Sequence, residues 1–286
     1  MTRIVQGLSD LTQLYDVILS DVWGVIHNGA RAHAIPCAAL ARWRAEVGPV
    51  VLISNSPRPS QGVIDQLDSL GVPREAWSGL VTSGDATRTL LAALAPGPAW
   101  AIGPERDGPL YEGLGLAFAG PAEAAFISCT GPVDDETETA EDYRKVLTTA
   151  AVRGLTMICA NPDIVVQRGD RLIPCGGALA RLYGELGGPV RMAGKPHAPI
   201  YETSLAEAER RLGRPLDRRR VLCVGDGVAT DIAGANAQGL DVMFIANGIH
   251  GAETKDVGGR LDAAAVDALL AKDGARATYA MADLDW

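Results

Sequence analysis

The sequence predicts an α/β protein: a doubly wound parallel sheet covered by helices, interrupted by an inserted second α/β domain. Three observations predict it. Short apolar runs alternate with stretches of helical spacing, as they do when strands are buried on both faces. The alternation changes register in the middle of the chain and returns to its first style from Val190 onward. Glycine and alanine are plentiful, with 33 glycines, which suits close packing of helices on a sheet.

The elements follow in order. Residues 15–20 (YDVILS) read as the first buried strand, ending at Asp21. Residues 38–46 read as a helix, 50–53 as a strand ending at Ser54, and 62–70 as a short amphipathic helix. A strand over 80–82 ends in a turn at Ser83-Gly84. In the middle, strands are expected over 100–102, 125–128 and 156–159, with helices over 87–95 and 143–153. The acidic run 134–142 reads as a solvated loop or helix start. Breaker clusters at 96–98 and 187–189 mark element or domain edges. Beyond them come a helix over 199–212 with a basic last turn, strands over 220–224 and 242–246, and a small-residue helix over 230–238. The coarse division is a discontinuous core, 1–85 and 188–286, with 86–187 inserted.

Composition narrows the function classes. The chain has 286 residues, 47% hydrophobic and 21% charged, with a formal net charge of −9. That balance argues against a nucleic-acid groove or an anionic membrane surface, both of which need clustered Lys and Arg. The five cysteines are odd in number and widely spread, with no C-x-x-C pair, so free thiols in a reducing compartment are expected. No run approaches the about 18 apolar residues of a membrane span. Residues 1–10 carry no leader-like apolar stretch. The expectation is a cytoplasmic protein.

Four segments carry chemistry, each at an expected strand end or helix start: Asp21-Val22-Trp23-Gly24-Val25, Ser54-Asn55-Ser56, Gly194-Lys195-Pro196, and Gly225-Asp226-Gly227-Val228-Ala229-Thr230-Asp231. Taken singly, each reads as a turn, a cap or a solvated side chain. Together they put a carboxylate, a hydroxyl, a cation and paired acids at the edge where open α/β sheets bind ligands.

This ordered set resembles the four motifs of the haloacid-dehalogenase superfamily, across nearly the whole chain. The insertion is similar to the α/β cap of class IIA members, the group of nitrophenylphosphatase-like and sugar-phosphate phosphatases. Thr82-Ser83-Gly84 and Asn161-Pro162-Asp163 also look like class IIA features. The resemblance implies a Rossmann-like core and a magnesium-dependent hydrolase acting on a small phosphorylated metabolite. By it, Asp21 attacks phosphorus and forms an aspartyl-phosphate. Asp21, the backbone carbonyl of Trp23 and Asp226 hold Mg²⁺, with Asp231 anchoring from outside. Ser54 and the backbone N–H of Asn55 bind the phosphoryl oxygens, and Lys195 neutralises charge on Asp21 and the phosphoryl group. Class IIA relatives often pair through their caps, so the resemblance admits a homodimer.

One position departs from the pattern. Phosphatases of this superfamily usually carry a second Asp two residues after the nucleophile, which protonates the leaving oxygen; here it is Trp23, whose indole has no titratable proton near neutral pH. Three accounts stay open. Another residue supplies the proton, with His27 and Asp163 as candidates; or the substrate has a good leaving group, as in an acyl phosphate, an anhydride or an aryl phosphate; or the protein binds a phosphorylated ligand with little turnover. Arg168, Asp170, Arg171 and Cys175-Gly176-Gly177 are candidates for a substrate-facing loop of the cap, His197 and His250 for lining the site, and Cys175 is disfavoured as a nucleophile. A nicotinamide oxidoreductase is disfavoured too, because no Gly-x-Gly-x-x-Gly turn follows the first strand.

Overall fold

The computed structural model describes residues 1–168, 171–248, 250–251, 253–256 and 258–286. The chain divides into two compact units. One comprises Met1–Ser54, Ile64–Val81 and Lys195–Trp286; the other comprises Asn55–Val63 and Thr82–Gly194. The second unit therefore extends past both edges of the expected 86–187 insertion and also takes in the segment after Ser54. The breaker cluster at 187–189 separates a helix from a strand inside that unit rather than marking its edge.

The first unit is built on a seven-stranded sheet. Its order is Arg3–Ile4, Tyr279–Met281, Asp241–Ile245, Val221–Gly225, Val17–Asp21, Val50–Ser54, Gly79–Thr82. Val17–Asp21 pairs in parallel with Val50–Ser54 on one side and with Val221–Gly225 on the other. Every residue of Val17–Asp21 and of Val221–Gly225 is buried. That explains why these strands read as continuous apolar runs instead of alternating. The chain proceeds outward from Val17–Asp21 in one direction, then resumes at Val221–Gly225 and proceeds outward in the other. The reversal lies between these two strands, and their carboxyl ends flank the crevice such a reversal opens.

Flanking helices follow the sequence closely. Ala34–Glu46 buries Cys37, Leu40 and Trp43 along one face; it starts earlier than the expected 38–46, because Pro36 is accepted in a first turn where no N–H is needed. Ala198–Leu212 buries Tyr201, Ser204, Leu205 and Ala208, and ends where Gly213, at φ 71°, turns left-handed and donates its N–H to the Glu209 carbonyl. The expected helix over 230–238 is present; it opens with a single π turn, Val228–Ile232, and continues as the α-helix Ala233–Ala237.

The second unit has its own parallel sheet, ordered Val190–Met192, Thr156–Cys159, Phe126–Cys129, Ala99–Ile102. Alternate residues go to opposite faces. Ile127, Cys129, Met157 and Cys159 pack with Leu147, Leu179 and Tyr183, while Phe126 and Ile158 pack with Leu91 and Leu110. A hairpin of Val165–Arg168 and Arg171–Pro174 precedes the helix Gly176–Glu185.

Ser83 and Gly84, expected as a turn, are the first turn of the helix Ser83–Ala92. The reason is a capping box. Thr82 Oγ1 accepts the Asp85 N–H at 3.0 Å, and Asp85 Oδ2 accepts the Thr82 N–H at 3.0 Å. Asp85 Oδ1 also accepts the Ser60 N–H at 3.0 Å. Asp85→Ala leaves two backbone donors without this acceptor and is expected to lower the unfolding free energy by about 1–3 kcal/mol. Equilibrium urea denaturation measures it; an unchanged midpoint would show that both donors find other partners.

Candidate active site

Asp21 is the last residue of its strand and is buried. Its strand neighbour Val50–Ser54 places Ile53 opposite it, so Ser54 stands one residue beyond at the same edge, partly buried. Asp226 follows the last residue of Val221–Gly225 on the other side. Parallel pairing thus delivers two carboxylates and a hydroxyl to one sheet edge from three separate segments.

Lys195 joins them from the start of the segment leading into Ala198–Leu212. Its Nζ donates to Asp21 Oδ1 at 2.5 Å and to Asp231 Oδ1 at 2.7 Å, with only 3% of the side chain exposed. Burial alone would lower the Lys195 ammonium, but the Asp21 and Asp231 carboxylates outweigh it and hold it above its ordinary value. Burial, and next the charge of Asp231, push the Asp21 carboxyl well above the usual carboxylate range, against the pull of Lys195.

The π turn sets Asp231. Its extra residue shows in the Ile232 N–H bonding to the Gly227 carbonyl at 3.1 Å. Asp231 Oδ2 folds back to accept the Gly227 N–H at 3.1 Å, leaving Oδ1 for Lys195. Tyr201, from the adjoining helix, donates its hydroxyl to the Asp231 carbonyl at 3.3 Å.

Asp21, Asp226 and Asp231 each offer an oxygen, and the three atoms lie within 4.8 Å of one another. Among the described residues, three buried carboxylates thus gather near the Lys195 ammonium. An all-oxygen set of this kind suits a hard divalent cation better than zinc. Two glycines make the room: a Cβ at Gly24, which has φ 87°, would lie 2.4 Å from Asp226 Oδ2, and one at Gly248 would lie 2.1 Å from the same atom. Gly24 stands in the first of the four segments, but neither Gly248 nor Tyr201 was given a role from sequence. Gly248 lies in the turn after a strand end, which is a signal; a tyrosine at a helical core position carries none.

Trp23 is partly buried and packs edge-on against His27, ring centroids 5.0 Å apart, with its six-membered ring against Gly29. His27 is buried and accepts the Gly29 N–H on Nδ1 at 2.9 Å. Burial, with a smaller contribution from His33, lowers its pKa to about 4. It is a neutral imidazole supporting Trp23, and near neutral pH it has no imidazolium proton to give.

The other candidates separate. Asn55 and Asp163 both belong to the second unit, where the Asn55 amide donates to Asp163 Oδ1 at 2.8 Å. His197 precedes its helix without a side-chain capping bond and is lowered in pKa by burial. His250 approaches Glu253 at 3.3 Å. Arg171 is exposed and donates to the Glu136 carbonyl. Cys175 is buried and its thiol is pushed up to about 12, chiefly by burial, which disarms it as a nucleophile. Asp170 and the Arg168 side chain lie outside the described residues. All five cysteines are free and buried.

Lys195→Ala removes the cation that bridges Asp21 and Asp231. In metal-free buffer it is expected to cost about 3–5 kcal/mol of stability, measured by urea denaturation. A loss of only about 0.5 kcal/mol, the range of an ordinary surface change, would show that the carboxylates do not depend on it.

Comparison with known proteins bears on this geometry. The family model described as haloacid dehalogenase-like hydrolase matches residues 18–117, and one described as HAD-hydrolase-like matches 192–271. A D-glycerol 3-phosphate phosphatase of Mycobacterium tuberculosis is 26% identical over 86% of this chain and 67% of its own. A p-nitrophenyl phosphatase from Archaeoglobus fulgidus shares the fold, with TM-score 0.70, 23% identity, and coverage of 94% of this chain and 96% of that one. A hydrolase of the haloacid dehalogenase-like family from Brucella suis is 47% identical, with TM-score 0.87, covering 98% of this chain and 100% of that one. Among the described residues, no helix is long and apolar enough to cross a membrane. At 47% identity over nearly the whole of both chains, the likeness to the Brucella protein shows the family: the chain belongs to the haloacid dehalogenase-like hydrolase family.

Proposed function

We propose that the protein is a magnesium-dependent class IIA phosphatase that acts on a small phosphorylated metabolite with Asp21 as nucleophile. The observation that carries this reading is the buried group of Asp21, Asp226 and Asp231 around Lys195 at the carboxyl ends of two neighbouring central strands. The names of relatives, a glycerol 3-phosphate phosphatase and p-nitrophenyl phosphatases, support phosphate monoesters as the substrate class.

Asp21 and Asp226, with the backbone carbonyl of Trp23, are the residues that would hold Mg²⁺, and Asp231 would anchor them from outside. When bound, the ion neutralises the phosphoryl oxygens and the attacking carboxylate. An Asp21 oxygen attacks phosphorus, the bond to the leaving oxygen breaks, and an aspartyl-phosphate forms. Lys195 keeps its proton throughout and offsets charge on Asp21 and on the transferred group. Ser54 and the N–H of Asn55 orient the phosphoryl oxygens. Water then attacks the phosphorus of the intermediate, which releases phosphate and restores Asp21.

Trp23 sets the limit. It cannot protonate a leaving oxygen, and neutral, buried His27 does not replace the missing acid. The chemistry therefore favours leaving groups that depart as stable anions, namely aryl phosphates, acyl phosphates or anhydrides. The same substitution supports a second reading, a protein that binds a phosphorylated ligand with negligible turnover.

Release of phosphate from p-nitrophenyl phosphate is expected to require Mg²⁺, to stop in EDTA, and to be undetectable in Asp21→Asn. Ligand-induced thermal stabilisation without phosphate release, even from aryl and acyl phosphates, would favour the binding protein. Trp23→Asp is expected to raise turnover of alkyl phosphates by about 10²–10⁴-fold, the usual worth of general acid–base help. No gain in a folded, metal-binding variant would rule out a missing acid as the limit.

A further inference from the structure

Within the second unit, the carboxylate of Asp163 is committed to Asn55, the residue immediately after Ser54. The turn that carries Asp163 is fixed on several sides. Its own N–H donates to Asn161 Oδ1 at 3.1 Å, closing an Asx turn. Its carbonyl accepts the Gly177 N–H at 3.0 Å, in the first turn of the helix Gly176–Glu185. A Cβ on Gly177 would stand 2.1 Å from the Pro162 carbonyl oxygen, so turn and helix are in close contact.

The other end of the Asn55 amide is confined as well. A Cβ on Gly194 would meet Asn55 Oδ1 at 2.7 Å, Ser83 Oγ at 2.5 Å and Pro162 Cδ at 2.8 Å. Asn55 is buried, with its amide nitrogen bound to Asp163 and its Oδ1 close to Gly194. A hydrogen bond from an amide to a carboxylate is of the stronger, charge-assisted kind. Holding the side chain restrains the Asn55 backbone, and through it the peptide that joins Ser54 to Asn55.

We propose that Asp163 is a positioning residue, which orients the Ser54–Asn55 peptide so that its N–H presents to the phosphoryl oxygens. This inference rests on the phosphatase reading above. It gives Asp163 a different part from the substitute proton donor considered from sequence: the carboxylate acts as a fixed acceptor and need not titrate. Support of this sort, one step removed from the group that touches the ligand, sets how well a binding geometry is pre-formed.

The test uses the full-length, Mg²⁺-loaded protein, with p-nitrophenyl phosphate as substrate and inorganic phosphate as competitive inhibitor. Asp163→Ala is expected to raise the inhibition constant for phosphate by about five- to tenfold, the worth of one such hydrogen bond, with the pH profile of kcat unmoved. Asp163→Asn keeps an acceptor oxygen and is expected to recover most of that loss. Asn55→Ala should match Asp163→Ala, and the double variant should be no worse than either alone. An unchanged inhibition constant in Asp163→Ala, or additive losses in the double variant, would overturn the assignment. So would an Asp163→Asn variant that fails only on poor leaving groups, because that is the signature of an acid. Thermal unfolding of each variant separates these results from misfolding. A wild type that neither releases nor binds phosphate ends the phosphatase reading and this one together; an active wild type whose inhibition constant the variants leave alone ends only this one.

Discussion

Lys195 Nζ between Asp21 and Asp231 is the contact on which the arrangement of buried charge in the first unit depends. An ammonium with 3% of its side chain exposed has lost most of its hydration, and only paired anions make that tolerable. Those anions come from distant parts of the chain, so the pair exists only once the central strands have registered. Holding Asp21 at a strand end, Asp231 in a π turn and Lys195 ahead of a helix is what the sheet order achieves. Among the described residues, the carboxylates of Asp21, Asp226 and Asp231 gather around this ammonium.

Most of the sheet was legible because buried parallel strands leave a plain mark. Residues 15–20, 50–53 and 220–224 were read as strands, and Val17–Asp21, Val50–Ser54 and Val221–Gly225 are the strands observed. What escaped was set by particular side chains. The capping box of Thr82 and Asp85 converts an apparent Ser83-Gly84 turn into helix, and its signal, Thr82 three residues ahead of Asp85, is present in the sequence. The strands Val165–Arg168, Arg171–Pro174 and Arg3–Ile4 are short, so their apolar pattern is weak.

The candidate site was legible as a set of residue types at strand ends, and less so as geometry. That Asp21, Lys195 and Asp231 make direct hydrogen bonds follows from tertiary placement, which spacing does not encode. The clearance that Gly24 and Gly248 give Asp226 is a property of space rather than pattern. Asp163 and His27 were both plausible proton donors on paper. Burial makes one a neutral support for an indole, and a single amide commits the other to Asn55.

The π turn at Val228–Ile232 makes the length of this segment matter as much as its composition. One surplus residue brings the Asp231 side chain back over Gly227 while the following helix keeps its place. Deleting any one residue there would restore ordinary winding and swing Asp231 by about 100° around the axis, away from Lys195. A chain shortened there would keep both Asp231 and Lys195 and still lose the contact between them.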